Sequence, residues 1–259
     1  MSVLLEDVTK AVKLQGKPHL LFDKLNLEIG RTSRIGILAL PKSGKSTLLG
    51  MICGTARPDS GRIQKDLSVS WPIPSGSFIV PSSSVAWNIR SLARIYGVKN
   101  PDFVHSVGEL GGLTNFLSQP VSRCPPYVKG QLAFALGIAM EFELYLFDNT
   151  IVPQRKEFKL QAVESLRQRT EGKAILFVTS AAQAVTEFCD SIYVLEQGRA
   201  THFPEASEGV EYFKALQKAE AERQSAIAAD RKPEDATPDS TAGDDDQNVE
   251  MATALLSDF

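Results

Sequence analysis

Lys45, Ser46 and Thr47 follow Gly44 directly, at the end of the run Ala39-Leu40-Pro41-Lys42-Ser43-Gly44-Lys45-Ser46-Thr47. One fixed cation beside two hydroxyls and a glycine is a set suited to a chain of phosphates. The apolar run Ile35–Leu38 precedes it, and Leu48–Cys53 follows with helical character. A strand that delivers a small-residue loop to a helix start turns successive N–H groups onto one anion. The helix N-terminus adds positive potential. On this reading Lys42, Ser43, Gly44, Lys45, Ser46 and Thr47 hold the phosphates of a nucleotide. Lys45 directs its charge to the β- and γ-phosphates, and Ser46 offers a hydroxyl to Mg²⁺. Asp148, ending the later apolar run Leu144–Phe147, is the matching acid on that metal.

The loop departs from the strict phosphate-binding pattern. Ala39 stands where that pattern has Gly. Ala adopts positive φ less cheaply than Gly, so an altered or strained loop is expected there. Lys42 either adds a second cation to the phosphates or folds over the loop.

Elements must bring this loop and Asp148 together. Ser2–Val8, Leu21–Ile29, Arg34–Leu40, Leu144–Phe147, Ala174–Val178 and Ser191–Leu195 read as strands. Lys45–Cys53, Val85–Tyr96, Phe103–Leu110, Gly130–Phe142, Glu157–Arg169 and Gly209–Ala229 read as helices. Alternation of the two predicts an α/β fold with a mostly parallel sheet, and ligands at the carboxyl ends of its strands.

Composition narrows the class. The chain has 259 residues, 43% of them hydrophobic, enough for a sizeable core. No run of 18 apolar residues exists, so no membrane-spanning helix is expected. The first residues lack the basic region and apolar stretch of a secretory signal, and a cytosolic chain is the expectation. Cys53, Cys124 and Cys189 are far apart and read as reduced, at least partly buried thiols. His19, His105 and His202 are equally scattered and suggest no metal site. Residues 1–216 carry 24 basic and 20 acidic side chains, whereas residues 217–259 carry 4 and 11. That acidic end argues against nucleic acid as a partner. Residues 231–248 hold two prolines and no aromatic or aliphatic residue larger than Ala, a composition expected to be disordered. Met251–Phe259 reads as a frayed terminus, with a docking peptide as the alternative.

Several stretches carry a resemblance. Phe22-Asp23-Lys24-Leu25-Asn26-Leu27-Glu28-Ile29, Thr47-Leu48-Leu49 and Pro58-Asp59-Ser60-Gly61-Arg62-Ile63 surround the loop. Ser70-Trp71-Pro72, Ala93-Arg94-Ile95-Tyr96-Gly97, Leu132-Ala133-Phe134, and Glu141-Phe142 leading into Tyr145-Leu146-Phe147-Asp148 are more specific. Cys189-Asp190-Ser191-Ile192-Tyr193-Val194-Leu195-Glu196-Gln197-Gly198 completes the match. Across residues 2–216 the chain resembles the ATPase subunits of ABC exporters for capsular polysaccharide and related O-antigen or teichoic acid. The resemblance implies an ABC-type P-loop nucleotide-binding domain over 1–216, with a mostly parallel central sheet, an antiparallel β subdomain and a helical subdomain. Residues 217–259 follow as a helical extension and acidic tail. It implies ATP and Mg²⁺ as cofactors, and a polysaccharide-export permease and a second nucleotide-binding subunit as partners. It places the chain peripherally on the inner face of the cell membrane.

The departures from that family gather around the site. Asn149 stands where the family has the Glu that activates water, and Ser180 where it has a His on the γ-phosphate. Pro125-Pro126-Tyr127-Val128-Lys129-Gly130 replaces the Ser-Gly-rich signature turn that closes ATP across the dimer. The coupling Gln falls near Val80, in a rewritten Ser75–Ser84 loop. The adenine-stacking Tyr is Val12, and Val152-Pro153-Gln154-Arg155 lacks its usual Asp. Asn cannot accept a proton at neutral pH. The expectation is an exporter subunit that binds nucleotide with weak or no hydrolysis. Its alternative is a non-catalytic regulatory or scaffolding protein. An unrelated P-loop kinase or GTPase is disfavoured by the exporter-like stretches.

Overall fold

The computed structural model describes residues 1–14, 17–151 and 156–230. The strands are β1 (Ser2–Leu14), β2 (Lys17–Gly30), β3 (Arg34–Ala39), β4 (Ser60–Lys65), β5 (Val69–Ile73), β6 (Leu144–Asp148), β7 (Ala174–Thr179), β8 (Ser191–Glu196) and β9 (Arg199–Phe203). The helices are α1 (Lys45–Cys53), α2 (Val85–Ile95), α3 (Phe103–Leu110), α4 (Pro126–Ala139), α5 (Lys156–Arg169), the short α6 (Ala182–Val185) and α7 (Ala206–Asp230). Two compact units divide after Lys218; the second, Ala219–Phe259, begins within α7.

A six-stranded sheet runs β5-β6-β7-β3-β8-β9, parallel except for β9, which returns antiparallel along β8. A second, antiparallel sheet runs β2-β1-β4. The central strands are apolar without interruption because both of their faces are covered. Alternation sends successive side chains to opposite sides. Thus Ile175 and Phe177 of β7 join a core beneath α2, α3, α4 and α5, while Ala174, Leu176 and Val178 face α1 and the antiparallel sheet. α4 is buried continuously from Gln131 to its end, so its apolar residues surround the helix there instead of forming a stripe.

α4 starts four residues before its expected start at Gly130. Pro125 is its N-cap and Pro126 its first residue, where a missing N–H costs no helical hydrogen bond. It ends at Ala139, and Tyr145 Oη donates to the Met140 carbonyl at 2.9 Å beyond it. β4 and β5 lay outside the sequence expectation. β4 is polar and largely exposed, and β5 is an edge strand interrupted by Pro72. Ser70 Oγ repairs the ladder there by accepting from Leu146 N at 2.9 Å. In α7, Val210 and Phe213 are buried and Leu216 packs against them, as the periodicity predicted. Ile227's side chain, the 152–155 loop and the 231–259 tail lie outside the described residues.

Candidate nucleotide site

The loop Leu40–Gly44 joins β3, in the middle of the large sheet, to α1. Gly44 caps α1 at φ 90°, a left-handed conformation that glycine takes freely. A Cβ there would stand 2.9 Å from Phe22 Cζ, so the position also needs the missing side chain. Ala39 is not strained; of the two expectations, the altered loop is the one found. Ala39 ends β3 in register with Leu195, and the positive φ falls instead on Lys42, at 66°. The lysine side chain itself is exposed.

Lys45 reaches back under the loop, where Nζ donates to the carbonyls of Ala39 at 3.2 Å and Leu40 at 3.0 Å. The Leu40 carbonyl also accepts from Ser43 Oγ at 2.7 Å, which closes the turn. Partial burial lowers the Lys45 pKa, opposed by the nearby charge of Asp148. Burial raises the Asp148 carboxyl in turn, opposed by Lys45. Desolvation therefore outweighs attraction at both groups, because Lys45 spends its hydrogen bonds on carbonyls.

Two hollows meet at Ser46. One, of about 350 Å³, is lined by Lys42, Gly44, Lys45, Ser46 and Thr47 and walled by Val12 and Leu21. The other, of about 330 Å³, brings Ser46 and Asp148 together with Trp71, Ser75 and Phe78. The expected phosphate and metal residues thus converge, with Ser43 holding the turn. Among the described residues no group of three or more His, Cys, Asp or Glu could hold a metal ion by itself. A cation at Ser46 and Asp148 would need oxygen ligands from a nucleotide and water, which is how Mg²⁺ is ordinarily held.

Asn149 and Ser180 line neither hollow. Asn149 has φ 59°, and its Nδ2 donates to Asp148 Oδ1 at 3.0 Å. Its backbone is locked to the end of β7 by a 2.8 Å bond from its N–H to the Val178 carbonyl, with Thr179 Oγ1 donating to its own carbonyl. The Ser180 carbonyl accepts from Gln217 Nε2 on α7 at 3.1 Å. At the start of α4, the Val128 N–H is taken by the Pro125 carbonyl at 3.0 Å.

Sequence reasoning missed Asn88. This buried side chain accepts from Val80 N at 2.7 Å and donates to the Val80 and Ser84 carbonyls, pinning the 75–84 loop to α2. A polar residue in the otherwise apolar stripe of α2 was the available signal.

No family model matches the chain. Among solved structures it is similar to the dimeric ATP-binding cassette MJ0796 bound to ADP and Pi. That match has a TM-score of 0.67 at 18% identity, covering 78% of this chain and 97% of the other, and it shows the fold. The capsule polysaccharide export ATP-binding protein CtrD of Neisseria meningitidis serogroup B is 32% identical over 78% of this chain and 93% of its own length. The polysialic acid transport ATP-binding protein KpsT of Escherichia coli is 27% identical over 82% and 98%. The ATP-binding protein BexA of Haemophilus influenzae is 32% identical over 75% and 89%. With the cassette fold in place and likeness of this extent to CtrD and BexA, the chain belongs to the family of ATP-binding subunits of capsular-polysaccharide-export ABC transporters.

Proposed function

We propose that the chain binds Mg-ATP at residues 42–47 as a nucleotide-binding subunit of a cell-surface polysaccharide exporter, with little or no hydrolysis of its own. The observation that carries this reading is the position of Lys45. Its ammonium is aimed across the inside of the loop at acceptor oxygens, and a phosphate oxygen is a stronger acceptor of the same kind. Gly44 and the start of α1 supply backbone N–H groups, and Ser46 and Asp148 are the groups that would hold Mg²⁺. Bound Mg²⁺ would neutralise phosphate charge. The protein's own share is to position the triphosphate and keep Lys45 partly desolvated, where its charge acts more strongly.

The residues around that cradle are poorly suited to hydrolysis. Asn149 has no proton-accepting group at neutral pH, and its amide points to Asp148. Loss of a general base costs ~10²–10⁴-fold in rate. We place the chain on the cytoplasmic face of the membrane beside a permease and a second nucleotide-binding subunit. No helix among the described residues is long and apolar enough to cross a membrane. Asn149 also supports a second reading, in which the chain is a regulatory or scaffolding pseudo-ATPase.

Titration of the purified chain with Mg-ATP tests the main reading. Binding in the micromolar to millimolar range is expected, with strong weakening in Lys45→Ala. Unchanged binding by Lys45→Ala would remove the phosphate site. Phosphate release near background is expected, and turnover at ~1–10³ s⁻¹ would contradict it. Co-purification of a permease separates the exporter role from the regulatory one.

A further inference from the structure

We propose that Gln217 of α7 is a positioning residue for Asp148, the carboxylate that would hold Mg²⁺. This rests on the Mg-nucleotide reading above and adds an element outside the cradle that sets how firmly the metal is bound. α7 is laid down by Val210 and Phe213, which are buried, with Leu216 packed beside them. Gln217 stands one helical turn after Phe213, on the same face, and is half-buried there. Its Nε2 donates to the Ser180 carbonyl at 3.1 Å. That carbonyl and the Ala181 N–H belong to one peptide group, which is planar. The N–H donates to Thr179 Oγ1 at 3.0 Å. One peptide plane is therefore gripped at both ends, by α7 on one side and by Thr179 on the other.

Thr179 carries the grip onward. A hydroxyl has one proton, and with Ala181 as donor to Oγ1 that proton is free for the Asn149 carbonyl, 3.3 Å away. Asn149 needs this support. Its φ of 59° is a conformation that persists only where neighbours hold it. Its N–H is held by the Val178 carbonyl at 2.8 Å, within the end of the sheet, whereas its carbonyl is held by the Thr179 side chain, which can rotate. The Asn149 backbone aims the amide, and Nδ2 donates to Asp148 Oδ1 at 3.0 Å. That bond limits how far the carboxylate turns about its own side chain. A metal ligand already set in place costs less to order on binding than one that must be fixed then. Asp148 lines the hollow with Ser46, while Asn149 and Ser180 line neither hollow. The chain from Gln217 therefore acts on the site from behind and only through Asp148. Its effect belongs to the metal and not to the phosphates that Lys45 faces.

The test titrates the full chain with ATP in excess Mg²⁺ and with ATP in EDTA. Gln217→Met keeps the length of the side chain and removes its donor without adding charge. It is expected to weaken Mg-ATP about three- to tenfold, the worth of one hydrogen bond, and to leave metal-free ATP within about 1.5-fold. Asn149→Gly keeps the left-handed backbone accessible and removes the amide. On that background Gln217→Met is expected to weaken Mg-ATP no further, because the link to Asp148 is already cut. Coupling is reciprocal, so the NMR signal of the Gln217 side-chain amide is expected to shift with Mg-ATP and not with ATP in EDTA. Equal losses with and without Mg²⁺, no loss in either, additive losses in the double variant, or a Gln217 signal indifferent to Mg²⁺ would each overturn the assignment. Failure of the Mg-nucleotide reading is distinct: wild type would then bind no ATP, bind it equally with Mg²⁺ and EDTA, or bind it unchanged as Lys45→Ala, and the Gln217 assignment would fall with it.

Discussion

At Asn149 the backbone and the side chain favour the same residue. Asn tolerates the left-handed conformation better than most residues, and its φ is 59°. Its amide also gives the partly buried Asp148 carboxylate a donor at 3.0 Å. Glu at this position would lose that donor, bring a like charge toward a carboxyl whose pKa burial already raises, and pay more for the backbone. Asn149→Glu is therefore expected to lower stability by about 1–2 kcal/mol in urea titration. It is also expected to leave phosphate release near background, since no other group at the site has been rebuilt. Enzyme-like turnover in this variant would show the rest of the site intact. Placement was legible where a type had one use, as with Gly44 capping α1, Lys45 beneath the loop and Asp148 in the hollow beside Ser46. Where backbone decided, it was less so: sequence left open whether the loop at Ala39 is strained or built differently, and in the structure Ala39 ends a strand and Lys42 carries the positive φ.

The legible elements were those whose burial imposes a period. α1 and α3 lie where apolar spacing put them, and β3, β6 and β7 follow continuous apolar runs. β4 carries no such signal because its residues are mostly exposed, and Pro72 disguises β5. The β5 edge is held by side chains beside its ladder. The Glu143 carboxylate accepts from Ser68 N at 2.9 Å and Ser68 Oγ at 3.3 Å, and pairs with Arg31 Nη2 at 2.6 Å. These bonds join the approaches to β5 and β6 to the turn between β2 and β3. The Ser68 N–H, helped by Arg31 and Lys173, holds the Glu143 pKa below the usual carboxylate value. A depressed acid pKa contributes stability above the unfolded-state pKa, and that contribution is lost as pH falls through the folded one. Wild type is expected to lose stability as pH falls below the ordinary Glu range. Glu143→Gln is expected to be less stable near neutrality and to show a smaller pH slope there. Thermal unfolding from neutral pH to pH 3 measures both, and an unchanged slope would rule Glu143 out as a contributor.

On the scale of the whole molecule, family and architecture were legible because a long apolar strand set and a phosphate loop are specified together. The head of α4 is where the sequence is expected to depart from the family's dimer contact. Its relatives are expected to use a Ser-Gly-rich turn at the head of the helix corresponding to α4, with free N–H groups facing the partner's nucleotide. Here Pro125 and Pro126 occupy the N-cap and first position, so two backbone donors are absent where an anion would be held. The next proline-linked bond, Val128 N–H to the Pro125 carbonyl, turns a third donor inward. A pair of identical copies would present this start to both nucleotides, whereas a pair with an intact subunit would present it to one. Self-association driven by Mg-ATP is therefore expected to be weak. The weak hydrolysis proposed above would sharpen the test, since an ATP-bound pair, once formed, would lack the usual route to dissociation. Sedimentation of the chain with saturating Mg-ATP is expected to show monomer. The double variant Pro125→Ser, Pro126→Gly, which restores donors at the head of α4, is expected to shift toward a dimer in Mg-ATP, and to lose that shift when Lys45→Ala is added. A stable ATP-dependent dimer of the unaltered chain would show that the two prolines do not oppose pairing, and would make the chain a competent partner for itself.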